Sequence, residues 1–202
     1  MKRRSMLLAA AATGGAVLLS ACDRPGSPPK ANFKATDVTG ADYGKTLALT
    51  DHTGRARTLA DFSGKVVVLF FGFTQCPDVC PTTLSTMSDV MKRLGPDSDR
   101  VQVIFVTVDP ERDTPAVLVP YVTAFDPRFL ALYGDKDAIN KATREFKVFF
   151  QKVPGKTEGT YSIDHTAASY VLDPKGRLRL YVRHQQTGEE IAADLKLLLS
   201  GA

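Results

Sequence analysis

The chain has 202 residues, with 26 basic and 22 acidic side chains and a formal charge of +4. That length fits one domain with a proper core. The basic excess is no nucleic-acid footprint: it falls to +1 without residues 1–21, which carry three basic and no acidic side chains.

Residues 1–21 open with Lys2-Arg3-Arg4, continue as an apolar run from Met6 to Leu19, and end at Leu19-Ser20-Ala21-Cys22. A charged start, a short apolar stretch and small residues read as an export signal. The run is shorter than the roughly 20 apolar residues of a membrane span. Its ending is similar to a bacterial lipobox, which makes Cys22 the expected lipid attachment site. An ordinary cleaved signal with a coincidental cysteine is the alternative. Several acyl chains on one cysteine anchor stably. Arg3-Arg4 ahead of Met6-Leu7 bears a weaker likeness to a twin-arginine signal. Asp23 after Cys22 is similar to an inner-membrane retention signal. The expected location is the periplasmic face of the bacterial inner membrane, where thiol pairs tend toward disulfides. Residues 22–33 are rich in Pro, Gly and Ser and read as the anchor and a flexible tether. The domain then runs over 34–202.

Strands and helices alternate along that domain. Leu47-Ala48-Leu49 and Ala56-Arg57-Thr58-Leu59 flank Asp51-His52-Thr53-Gly54, a hairpin signal. Val66–Phe71 is a continuous run of β-branched and aromatic residues, as in a strand buried on both faces. Leu84, Met87, Val90, Met91 and Leu94 come next at helical spacing, stopped by Gly95-Pro96. Val101–Val108 is a second buried strand. Asp113-Thr114-Pro115 opens a helix reaching about Phe125. Phe129–Tyr133 predicts a short strand, and Asp137–Phe149 an amphipathic helix. Tyr170–Leu172 and Leu178–Val182 flank Asp173-Pro174-Lys175-Gly176, a second hairpin. Glu189–Leu199 is the closing helix. The order predicts an α/β fold: a central mixed sheet flanked by helices, with N-terminal and internal hairpins added.

Cys76-Pro77-Asp78-Val79-Cys80-Pro81 holds the chain's other two cysteines, at the end of the first buried strand and the start of a helix. That placement points to a thioredoxin-like fold. A helix N-terminus favours thiolate, which is both nucleophile and metal ligand. Pro77 and Pro81 suit the first turn and limit how the loop relaxes. A disulfide staple here would close a loop of about five residues and contribute only roughly 2 kcal/mol. Structural zinc wants four ligands, and no second close pair exists. A redox dithiol or a soft-metal site remains, and three intervening residues instead of two leave room for an ion between the sulfurs. Thiolates suit Cu(I), and an added imidazole also suits Cu(II). Of three histidines, His52 and His184 read as solvated surface. His165, in Tyr161-Ser162-Ile163-Asp164-His165-Thr166, lies just ahead of a strand entering the sheet. Spacing alone does not bring it to the cysteines. A peroxiredoxin pattern is absent, since Phe73 and Leu69 stand where it wants Thr and Pro.

Phe71–Leu84, Val108–Pro115 and Tyr161–Thr166 together, in that order, resemble the motifs of the Sco/SenC family, over about residues 34–200. The resemblance implies a thioredoxin-like, membrane-anchored protein that binds one copper ion through Cys76, Cys80 and His165. It implies a part in assembling the dinuclear copper site of cytochrome c oxidase subunit II, or of another copper-site apo-protein. A periplasmic copper donor and a thiol reductant are the implied further partners. Many members carry a transmembrane helix where this chain has the lipobox. Asp78 and Asp164 are expected beside the ligands, with Asp78 equally readable as a solvated helix-start carboxylate. Asp109, Glu111, Arg112 and Asp113 are expected to cap the following helix, with a partner-facing loop as the alternative. The competing function is thiol-disulfide exchange at Cys76 and Cys80, as a reductase of the apo-oxidase subunit or a redox sensor.

Overall fold

A computed structural model describes residues 31–202; the expected export signal, Cys22 and most of the expected tether lie outside the described residues. Ten strands and four α-helices succeed one another among the described residues. They are β1 (Thr36–Asp37), β2 (Ala48–Asp51), β3 (Ala56–Thr58), β4 (Val66–Gly72), α1 (Val79–Leu94), β5 (Val101–Thr107), α2 (Pro115–Thr123) and β6 (Leu130–Tyr133). After them come α3 (Lys136–Glu145), β7 (Phe150–Pro154), β8 (Tyr161–His165), β9 (Ala168–Leu172), β10 (Leu178–Arg183) and α4 (Gly188–Leu199).

Eight strands form one sheet in the order β1-β10-β9-β4-β5-β6-β2-β3. The β4–β5 and β5–β6 pairs are parallel and the β4–β9 pair is antiparallel, so the sheet is mixed. Every residue of β4 is buried, as its unbroken apolar run requires. Leu84, Met87, Val90, Met91 and Leu94 form the buried stripe of α1, which packs against α4. At the far end of the chain, Asp194 on α4 is 1% exposed and accepts bonds from the backbone N–H groups of Lys34 (2.8 Å) and Ala35 (2.7 Å). Those bonds fix the start of the domain to its last helix.

Both expected hairpins are present. Asp51 holds the first together: its carboxylate, 0% exposed, accepts from Thr53, Arg55 and Arg57. The expected helix over Asp137–Phe149 is shorter. It ends at Glu145, and Lys147 just beyond turns into the left-handed region at φ 54°. Beyond that turn lies a hairpin that no local sequence pattern announces. β7 and β8 pair antiparallel as a separate two-stranded sheet, with Phe150 opposite His165 and Pro154 opposite Tyr161. His165 therefore ends a strand of its own, three residues ahead of β9, the strand that enters the main sheet as expected.

Candidate metal centre

The site sits at the carboxyl ends of the parallel strands β4 and β5, where this kind of sheet presents its loops. Gly72 ends β4 beside Thr107 of β5. The chain then turns through Phe73-Thr74-Gln75, and the Cys76 N–H donates to the Phe73 carbonyl at 3.2 Å. α1 begins at Val79, so Cys80 lies in its first turn, and the Cys80 N–H points at Cys76 Sγ at 3.4 Å. Cys80 is fully buried against Gly72, while Cys76 is half-buried at the mouth of the site.

His165 arrives on β8. Tyr161, Ile163 and His165 share the face of that strand turned toward the body, and Ser162 and Asp164 face out. The imidazole stands edge-on to Phe70 and Phe73, with ring centroids 5.9 and 5.8 Å away. His165 Nδ1 lies 3.2 Å from the Thr166 carbonyl. A carbonyl only accepts, so that contact puts the ring proton on Nδ1 and leaves the Nε2 lone pair free. Nε2 then faces Cys80 Sγ at 3.5 Å. Cys76 Sγ, Cys80 Sγ and a His165 ring nitrogen all lie within 4.8 Å of one another.

The 3.5 Å between Cys80 Sγ and His165 Nε2 fits a shared metal ion. With bonds of about 2.3 Å to sulfur and 2.0–2.1 Å to nitrogen, tetrahedral or trigonal angles require ligand atoms roughly 3.5–4.0 Å apart. Two thiolates and an imidazole are donors for copper or zinc, not for magnesium or calcium. The protons are already partly cleared. The Cys76 thiol is pulled down to about 3, chiefly by its hydrogen bond with the Cys80 thiol. The backbone N–H groups of Asp78 and Cys80 add to that effect against a burial penalty. Cys80 is pushed up by the same shared-proton bond and then by burial. The pair thus holds one proton between two sulfurs.

Other expected residues stand differently. Asp78 offers Cys76 its backbone N–H, while its exposed carboxylate accepts from Thr82 Oγ1 at 3.2 Å. Asp164 points away from the ring, whose Nδ1 is taken by Thr166 instead. His52 and His184 are not simply solvated: both are half-buried. His52 Nδ1 accepts from the Ala131 N–H at 3.1 Å, and His184 Nδ1 lies 3.0 Å from Thr83 Oγ1.

The expected helix cap in Asp109–Asp113 is overturned. Thr114 takes the cap position of α2, without a side-chain bond. Asp113 instead accepts from Thr74 N–H (3.1 Å), Thr74 Oγ1 (2.5 Å) and Thr107 Oγ1 (2.6 Å), tying the cysteine loop to β5. Burial pushes its carboxyl up despite those bonds. Arg112 bonds the fully buried Asp109. Their partners in the cysteine loop and at Tyr161 lie 37 to 52 positions away, so local pattern could not find those contacts. Gly72 was also missed, although a glycine closing an unbroken apolar strand signals close approach. A Cβ there would lie 2.7 Å from Cys80 Sγ.

The family model described as SCO1/SenC matches residues 35–200. The mitochondrial SCO2 homolog of Mus musculus is 38% identical over 152 residues, which is 74% of this chain and 60% of that protein. This chain thus spans less than two thirds of that relative. The copper-bound structure of Bradyrhizobium japonicum ScoI is 45% identical with a TM-score of 0.72, covering 78% of this chain and 99% of that one. The apo Sco1 solution structures from Thermus thermophilus are 42% identical with a TM-score of 0.75, covering 85% and 100%. These likenesses share the thioredoxin-like architecture described above.

Proposed function

The chain belongs to the SCO1/SenC family, and from that premise we propose that it carries one copper ion to the dinuclear copper site of cytochrome c oxidase subunit II. Sco proteins act in cytochrome c oxidase assembly, and the Bradyrhizobium relative holds copper. The observation that carries the reading to this chain is the convergence of Cys76, Cys80 and His165 within 4.8 Å. Cys76 and Cys80 bind as thiolates and His165 through Nε2. Three protein ligands leave a coordination position open. A ligand of the acceptor joins there before a ligand of the donor lets go, so copper passes without being free. Cys76 and His165 are both half-buried, which leaves them within reach of such a partner.

Anaerobic titration of the reduced protein with Cu(I) and Cu(II), beside His165→Ala, tests this. One equivalent of copper, with a sulfur-to-Cu(II) charge-transfer band that weakens in the variant, supports it. Unchanged copper binding in His165→Ala refutes the ligand set.

The Cys76 thiolate also favours a second reading. It can attack a disulfide of the apo-oxidase subunit, forming a mixed disulfide. Cys80 then displaces the partner, so two electrons reduce the partner while Cys76 and Cys80 become a disulfide. Rapid turnover on a disulfide peptide without copper binding would put this reading first.

The proposal extends to location: export, lipid on Cys22, and a tether holding the domain at the periplasmic face of the inner membrane. The lipobox-like ending at Cys22 supports it. Cys22→Ser should shift the protein from the membrane to the soluble periplasmic fraction.

A further inference from the structure

We infer that Arg112 is a positioning residue for the third copper ligand: it clamps the β7–β8 hairpin to the body and thereby sets where His165 meets the cysteines. This rests on the copper-carrier function proposed for the site. It concerns how the site is held together, not which atoms bind.

His165 is carried by an element with little support of its own. The hairpin is a separate two-stranded sheet, and such a pair is marginal alone. Four of the five β7 residues are exposed, and on β8 only Ile163 is fully buried. His165 ends β8 at one edge of this element. Tyr161 lies four residues back on the same face, roughly 13 Å along the strand.

Arg112 grips that far end. Its Nη1 donates to the Tyr161 carbonyl at 2.9 Å, and its guanidinium lies 3.6 Å from the centre of the Tyr161 ring. Its Nε bonds the carboxylate of Asp109, which is 0% exposed. Tyr161 Oη donates to the other oxygen of that carboxylate at 2.8 Å. Nη1 also donates to Gln75 Oε1 at 3.0 Å, one residue ahead of Cys76. One guanidinium therefore touches the cysteine loop, the loop after β5 and the histidine hairpin. Nη2 is buried without an acceptor, so this side chain has given up hydration to hold that place. At the histidine end the ring packs on Phe70 and Phe73, and on the exposed side Lys152 bonds Glu111 at 2.6 Å, where screening weakens it. Arginine's rigid fork serves several acceptors at once; a lysine supplies the charge to Asp109 but not the fork or the flat stack.

The test uses Arg112→Lys and Tyr161→Phe, each alone and combined with His165→Ala. Metal-free protein is followed by hydrogen exchange and copper affinity by competition. Arg112→Lys should raise exchange in residues 150–165 by about tenfold while residues 66–72 stay protected. It should weaken Cu(II) about tenfold and move the charge-transfer band toward that of His165→Ala. Tyr161→Phe should shift both in the same direction by less. In the His165→Ala background Arg112→Lys should cost no further affinity, because the ligand it positions is gone. Wild-type exchange in 150–165, or an equal affinity loss in both backgrounds, overturns the inference. If the wild-type protein binds no copper the function fails, and the exchange measurement still decides the clamp. If Arg112→Lys does not fold, Tyr161→Phe carries the same comparison.

Discussion

Replacing Gly72 with alanine tests whether the site depends on backbone closeness or only on its ligands. The added Cβ would stand 2.7 Å from Cys80 Sγ, 2.9 Å from Phe105 Cε2 and 3.0 Å from Phe70 Cε1. Ordinary contacts are about 3.5–4.0 Å, so the sulfur must retreat by roughly 1 Å or the strand must shift. Neither is free to yield, since Cys80, Phe70 and Phe105 are each at most 1% exposed. Overpacking of this kind costs about 1–3 kcal/mol. Copper affinity should fall at least about tenfold as well, because the displaced atom is a ligand. Gly134→Ala is the control. Its Cβ would meet Ala138 and Leu49 at 3.0 Å, with neither a ligand nor a ligand's neighbour among its contacts. Urea unfolding and copper competition would be measured on both variants. Each should lose stability, and only Gly72→Ala should lose copper. Wild-type affinity and spectrum in a folded Gly72→Ala would refute the argument.

The charges set further outcomes. Cys76, drawn down to about 3, should be alkylated by iodoacetamide at a rate nearly flat from pH 5 to 8, with Cys80 unreactive; a rate rising tenfold per unit would contradict this. Binding of Cu(I) at pH 7 should release about one proton, that of Cys80, and calorimetry in buffers of different ionisation enthalpy counts it. Burial pushes the Asp51 carboxyl up, but its bonds from Thr53 and Arg57 outweigh that and hold it well below the usual carboxylate range. Its stabilising effect is therefore complete above the unfolded value of about 3.9 and drains away as pH falls below it. Asp51→Asn should cost about 2–3 kcal/mol at pH 7 and progressively less toward pH 2, by urea unfolding. A gap that does not narrow would refute the sign.

The sheet core was readable because its strands speak in composition. Val66–Gly72 is apolar throughout, and that alone requires burial on both faces. α1 was readable because its stripe repeats at helical spacing. β7 was not: Gln151, Lys152, Val153 and Pro154 show no alternation, and the strand is held by tertiary contacts instead of a buried face. The end of α3 was misread because Phe146 extends the apolar pattern while Lys147 reverses the backbone. At the site, donor chemistry was legible in Cys76 and Cys80. The place of His165 came through resemblance, since 85 residues separate it from Cys80. Arg112 and Asp113 looked like a local cap because their partners Tyr161 and Thr74 lie far along the chain.

The position of β9 fixes the order in which this molecule is completed. β4, the central strand, pairs with β5 on one side and β9 on the other, with Val67 opposite Leu172. During synthesis that second edge stays bare until most of the chain exists, and such distant pairing makes for slow folding and an aggregation-prone interval. His165 stands three residues ahead of β9, so the metal site closes in the same late step. Half-made chains have Cys76 and Cys80 but not His165. Copper bound by all three residues would therefore mark a finished molecule, and by mass action would hold that molecule in its finished state.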